Sequence, residues 1–373
     1  MSNRKDAVDR LERLWGSKLD VLGILDHWRT ATVEQVAAFA GNERIASDRG
    51  SIIKDLFTLD LIDRGAMQSA LPHRQTAQRM QFLRPTRSTS FNRLIKPKMT
   101  YAELVSVTAG RPFLTGGQYD RHNVLSTELA LRVAEFTNVS AVLGEKVSDG
   151  ATVAFEGWGQ QVAYPGAGHR GDLTILRRDG LRIVVEVTAS VNNAFNKKVE
   201  KWARLLSTRT MAETGFVVVF VAAESPDTKL HSEGSVITQI RNGISRATRV
   251  YPGVGTNRTA ERIFCVDWRE WFPEPHASTN GFPVLVARRP TGVFGTPDLW
   301  EPARILSELD VPFTPKPELQ PLAAAHNAKS LRGQPHWLRT NHSNDTWKVA
   351  VNRLWPEGYA SALRTPPTGR LLG

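Results

Sequence analysis

The stretch HRGDLTILRRDGLRIVVEVTAS, His169 to Ser190, carries two carboxylates, Asp172 and Glu186, on either side of a tight turn in an otherwise apolar segment. Two acids facing each other at a buried edge repel, so each is costly unless protonated, hydrogen-bonded or neutralised by a cation. Oxygen ligands placed this way suit a hard ion, Mg2+ or Mn2+, which can activate water and stabilise charge on a phosphate in transfer.

The register of the hairpin decides whether the acids meet. A two-residue turn at Asp179-Gly180 would set Asp172 opposite Val187 and turn Glu186 to the other face. A three-residue loop, Arg178-Asp179-Gly180, puts Gly180 in the left-handed bulge position and Asp172 opposite Glu186. In that register Val184, Glu186 and Thr188 share a face, and Ile183, Val185 and Val187 pack beneath. A structural alternative stands beside the catalytic one, with each carboxylate taken by Arg170, Arg177, Arg182 or a helix N-terminus.

The elements around the hairpin read helix, strand, hairpin, helix, strand, helix, strand, an α/β arrangement around a mixed sheet. A helix over about residues 119–136 aligns His122, Leu125, Leu129, Val133 and Phe136 at three- and four-residue steps. SAVLGEKV is a short strand, and residues 192–206 form a helix with Phe195, Val199, Trp202 and Leu206 on its apolar face. GFVVVFVAA has the continuous apolar character of a strand covered on both sides. A helix near His231 to Arg246 and the strand ERIFCVDW follow.

These residues resemble the PD-(D/E)XK nuclease superfamily, whose signature is an acid at the start of one strand and Glu-x-Lys on the next, with a helix before and after. Gly171-Asp172 matches the first element and Glu186-Val187-Thr188 the second, but Thr188 stands where the family usually has lysine. Some members take that lysine from the following helix. Lys198, on the flank of its apolar face, is the best substitute and Lys201 a weaker one. The resemblance implies Asp172 and Glu186 as metal ligands, with His122 and Glu128 of the preceding helix at positions that some members use to complete the site. Lys197, Lys198 and Lys201 also fit an ordinary solvated face.

The N-terminal third reads as three short helices and a hairpin. Lys18 to Trp28 presents an apolar face, Thr32 and Gln35 have capping-box spacing, and Gly41 ends the second helix. A third helix is expected over about Glu43 to Leu59, with Arg44, Ser47, Arg49, Ser51 and Lys54 outward. From Arg64 to Lys98 the chain carries Arg64, Arg74, Arg79, Arg84, Arg87, Arg93, Lys96 and Lys98 without one Asp or Glu. Such a stretch suits phosphate contacts, which add affinity without sequence information. Residues 16–95 resemble the winged-helix family, in which the third helix enters the major groove and the hairpin lies on the backbone. A solvated loop and a winged helix used for protein contacts are the alternatives.

The formal charge of +11 on 373 residues points to a polyanionic partner, DNA ahead of a membrane surface. A single cysteine, Cys265, excludes an internal disulfide and a cysteine-rich zinc site. The charged N-terminus and the shortness of the longest apolar run give the expectation of a soluble, cytoplasmic protein with no membrane partner. A homodimer is an open option. No Walker-type loop, serine elbow or paired-histidine zinc spacing appears.

The expected division is a winged-helix domain over 1–98, a linker over 99–118, a nuclease-like α/β domain over 119–280 and a Pro-rich extension over 281–373 with a helix near Leu299 to Leu309. Together, a winged helix before such a domain is similar to the replication-relaxation proteins of actinobacterial plasmids and phages, over most of residues 16–270. That resemblance implies a mobile-element protein acting in replication or DNA processing, active as an Mg/Mn-dependent endodeoxyribonuclease or, with a degenerate site, as a non-catalytic initiator or regulator.

Overall fold

The computed structural model describes residues 4–46, 50–67, 80–86, 88–113, 120–148, 169–208, 215–223, 235–273, 278–291, 299–309 and 311–313. The chain is mixed α/β and divides into two compact units between Glu135 and Phe136.

In the first unit, α1 (Arg4–Asp9), α2 (Trp15–Trp28), β1 (Ala31–Thr32), α3 (Val33–Ala40), α4 (Ile52–Thr58), β2 (Ile62–Met67) and β3 (Met80–Pro85) follow in order. The three strands form an antiparallel sheet in the order β1-β3-β2. Thr32 caps α3 through the expected box: its hydroxyl accepts from the Gln35 amide at 3.1 Å, and the Gln35 side chain accepts from the Thr32 amide at 2.9 Å. Val21, Leu22, Leu25, Val36, Ala37, Phe39 and Leu56 are buried and join the three helices.

The continuous third helix expected over Glu43 to Leu59 is not what forms. A 3-10 turn spans Glu43–Ala46 and the α-helix is confined to Ile52–Thr58. Gly50 and Ser51 lie between these segments, and both residue types disfavour helix interiors. The Asp55 carboxylate anchors α4, meeting Arg10 Nη2 at 2.8 Å and the buried Lys18 Nζ at 3.2 Å.

The segment expected to link the domains instead carries α5 (Tyr101–Thr108), started by a Thr100/Glu103 capping box. It packs on α2: the Val107 Cα comes so near Gly23 that a Cβ there would lie 3.4 Å from it. The Trp15 indole donates to Glu103 at 3.0 Å. Nearly all of α6 (Asp120–Phe136) also belongs to this unit, where Thr127 Oγ1 donates to the Thr30 carbonyl at 3.3 Å.

The second unit is built on a seven-stranded mixed sheet. Its strands are β4 (Ala141–Gly144), β5 (Leu173–Leu176), β6 (Arg182–Thr188), β7 (Phe216–Ala222), β8 (Ile263–Asp267), β9 (Val286–Pro290) and β10 (Trp300–Arg304), lying side by side in chain order. β6, β7 and β8 are parallel, and the remaining pairings are antiparallel. The parallel joins require crossovers, supplied by α7 (Asn193–Leu206) and α8 (Val236–Val250). β6 and β7 are buried along their whole length, as their apolar runs demand.

The C-terminal expectation needs correction. No helix forms over Leu299 to Leu309; Trp300–Arg304 is a strand paired with Val286–Pro290, so the sheet extends past residue 281. Pro302 would interrupt a helix, whereas an edge strand tolerates its missing N–H.

Candidate active site

The hairpin adopts the three-residue loop. Gly180 has φ 93°, Arg177 N–H donates to the Leu181 carbonyl at 2.9 Å, and Leu173 pairs with Val185 and Leu176 with Arg182. Continued by one residue, that register sets Asp172 opposite Glu186. The Asp172 amide donates to the Val185 carbonyl at 2.9 Å, and its Oδ2 accepts from the Val187 amide at 2.6 Å. Gly171 is required beside it: a Cβ there would come within 2.3 Å of Val184 Cγ1.

Glu186 is almost fully buried. α7 covers its face of the sheet, started by Asn192, whose side chain accepts from the Phe195 amide at 2.9 Å. Phe195, Val199, Trp202 and Leu206 are buried as the apolar periodicity requires. Lys198 and Trp202, one helical turn apart, both reach Glu186. The Trp202 indole N–H donates to Oε1 at 2.7 Å, and the Lys198 ammonium pairs with Oε2. Lys198 keeps 42% of its side chain exposed, so the ion pair opens to solvent on one side.

Burial pushes the Glu186 carboxyl above its usual range; Lys198 opposes this and the Asp172 charge adds to it. Burial alone would lower Lys198, but Glu186, then Asp172, then Glu145 hold it above its ordinary value. Lys198 is therefore a firmly charged cation among carboxylates.

The hairpin and α7 thus bring Asp172, Glu186 and Lys198 together, with Thr188 following Glu186 on the same face of β6 and its carbonyl accepting from the Ala223 amide at 2.8 Å. Sequence reasoning missed Trp202, whose four-residue spacing from Lys198 was the available signal. It also missed His169, whose Nε2 donates to the Lys201 carbonyl at 3.2 Å while the ring meets Trp202 edge-on at 5.2 Å. Glu145, following β4, faces Arg170 at 3.9 Å.

Glu128 and His122 have other surroundings in the first unit. The Glu128 carboxylate pairs with Arg132 Nε at 2.8 Å and accepts from Gln35 Nε2 at 3.3 Å, all three being buried. The arginine that neutralises it stands one turn further along α6. His122 is half-buried near the start of α6, and its carbonyl accepts from Ser126 Oγ at 2.9 Å. Among the described residues, no group of three or more His, Cys, Asp or Glu side chains is arranged to hold a metal ion.

The expected DNA contacts separate by exposure. Arg44, Lys54 and Arg93 are exposed, Ser51 is half-buried at the start of α4, and Arg64 stacks over Phe57 at 5.8 Å. Arg84 departs from expectation: it is buried on β3, the central strand of this sheet, and pairs with Asp63 at 3.7 Å. Ser47, Arg49, Arg74, Arg79 and Arg87 lie outside the described residues. Among the described residues, no helix is long and apolar enough to cross a membrane. No protein-family model, curated protein or solved structure matches this chain.

Proposed function

We propose that this chain is a DNA-binding protein whose first unit is a winged helix and whose second unit carries a PD-(D/E)XK-type site for metal-dependent hydrolysis of a DNA strand, serving the replication or processing of a mobile element. The observation that carries this reading is the convergence of Asp172, Glu186 and Lys198, the last supplied by α7 in place of Thr188. The helix-strand-helix-helix-hairpin order of the first unit, with exposed Arg44 and Lys54, supports the DNA-binding part.

Two carboxylates fit a magnesium ion, which keeps several waters and takes its remaining ligands from substrate phosphate. Asp172 and Glu186 would hold it. When bound, it would lower the pKa of a water and stabilise charge on the phosphate. Lys198 balances charge beside Glu186 and stands at the open side of the pair, where a phosphate oxygen can approach its ammonium. Trp202 fixes the Glu186 carboxylate through one oxygen. In the reaction, water oxygen bonds to phosphorus, one bridging P–O bond breaks and the leaving oxygen takes a proton.

A second reading, a non-catalytic initiator or regulator, is favoured by one observation: both Glu186 oxygens already have partners, Trp202 and Lys198. Incubation with supercoiled plasmid and magnesium or manganese separates the two. Nicking that EDTA abolishes, and that folded Asp172→Ala and Glu186→Ala variants lack, supports the enzyme. Salt-sensitive binding without cutting supports the alternative.

A further inference from the structure

We propose that the outer face of α7 and α8, with the short hairpin Gly253–Val254/Asn257–Arg258, binds the phosphodiester backbone of DNA alongside the acid–lysine site. This rests on the DNA-binding reading and adds a surface that the first unit does not supply.

Both helices belong to consecutive parallel crossovers, and right-handed connections place them on the same side of the sheet. They pack closely: a Cβ on Gly243 of α8 would touch Phe195 and Asn196 of α7 at 3.4 to 3.5 Å. Tyr251 donates to Glu200 at 3.2 Å, and the Asn257 side chain donates to the Leu206 carbonyl at 3.0 Å, tying the end of α8 and the hairpin to the end of α7.

On α7, Lys197, Lys201 and Arg204 recur at four- and three-residue steps and are exposed. Arg246 and Arg249 on α8 and Arg258 on the hairpin are exposed as well. Residues 235–258 contain no Asp or Glu. Glu200, the acid of α7, accepts from Tyr251, and among the described residues no carboxylate is paired with any of these cations. Such a row would be self-repelling without a partner, and regularly spaced negative charge relieves it. Lys197 and Lys201 lie about 100° and about 60° round the helix from Lys198, both on its solvent side, so a strand held on this face runs along the edge where the ion pair opens to solvent. The cations outnumber the exposed apolar residues nearby, Val250 and Val254, which favours a polyanionic strand over a lipid surface.

The test is fluorescence anisotropy of the full chain with a labelled duplex across a salt series. The variants are Lys197→Gln/Lys201→Gln/Arg204→Gln, Arg246→Gln/Arg249→Gln/Arg258→Gln, and Arg44→Gln/Lys54→Gln in the first unit. All are surface changes, and circular dichroism and melting check folding. Each α7 or α8 set should weaken binding at least tenfold at low salt and flatten the log-log salt slope by about 0.9 for each phosphate no longer neutralised. If Arg44→Gln/Lys54→Gln weakens binding but the α7 and α8 sets bind as wild type, the face is not a DNA surface and the DNA reading stands. If the wild-type chain shows no salt-dependent binding, both fall. Binding to phosphatidylserine vesicles that the α7 and α8 changes abolish, with DNA binding unaltered, assigns the face to lipid and overturns the proposal.

Discussion

Lys198 and Glu186 are ion-paired through Nζ and Oε2, one side chain from α7 and the other from β6, and the Trp202 indole holds the second oxygen of the same carboxylate. An isolated buried acid beside Asp172 would be expensive, and these two partners offset the cost.

Lys198→Met leaves Glu186 buried near Asp172 without its cation. The Glu186 carboxyl should then rise further above its ordinary range, detectable by 13C NMR of the labelled side chain. Stability near neutral pH should fall by on the order of 1–3 kcal/mol, the lower part applying because Lys198 is partly in water. A carboxyl that titrates as in the wild type would show that the ion pair does not form.

The pH dependence of stability has a definite sign. Burial holds folded Glu186 at about 7, above its ordinary 4.5, with Lys198 opposing the rise and Asp172 adding to it. The folded state thus favours the protonated form, a contribution complete below 4.5 and lost as pH rises through about 7. Relative to Glu186→Gln, the wild type should lose about 1–3 kcal/mol across that window in urea titrations at stepped pH. A wild-type advantage that stays level or grows contradicts this.

Trp202→Phe keeps an aromatic ring but removes the indole donor to Glu186 Oε1 and leaves a small void at a buried position, which adds to the cost. A lost hydrogen bond to a charged acceptor costs about 1.5–3 kcal/mol, and a fall in unfolding free energy of at least that size is expected. No change in denaturation midpoint would mean that solvent replaces the indole.

Gly171→Ala drives a methyl into Val184 Cγ1 directly before Asp172. Destabilisation of about 1–3 kcal/mol is expected, readable as a lowered melting temperature. A variant as stable as wild type would show that the strand start shifts freely.

Arg84→Met and Lys54→Gln should separate packing from DNA binding. Arg84 is buried beside Asp63, so its loss lowers stability and leaves DNA affinity in the folded fraction nearly intact. Lys54 is exposed on α4, and its loss should reduce the salt slope by about 0.9 without affecting the melt. The reverse pattern would remove α4 from the DNA interface.

The sequence narrowed the hairpin to two registers, because Gly180 supplies a left-handed residue in either loop; the pairing of Leu176 with Arg182 selects the three-residue loop, which puts Asp172 against Glu186. α7 was legible because its apolar spacing leaves Lys198 on the flank that meets β6. Long-range pairing hid the rest. The segment containing Trp300 has helix-like spacing but takes a strand from its pairing with Pro290 and its neighbours. Glu128 looks like a free ligand in sequence, yet Arg132 and Gln35 occupy it. Arg84 shares an acid-free stretch with exposed cations, yet the sheet neighbours of central β3 bury it beside Asp63.

The most direct test is the rate of magnesium-dependent plasmid nicking by the wild type, Lys198→Met, and Lys198→Met/Thr188→Lys, which returns a lysine to the β6 face beside Glu186. The account predicts nicking by the wild type, a loss of at least about a hundredfold in Lys198→Met, and partial recovery in the double variant. A wild type that does not nick, or a Lys198→Met variant that nicks at the wild-type rate, would contradict it.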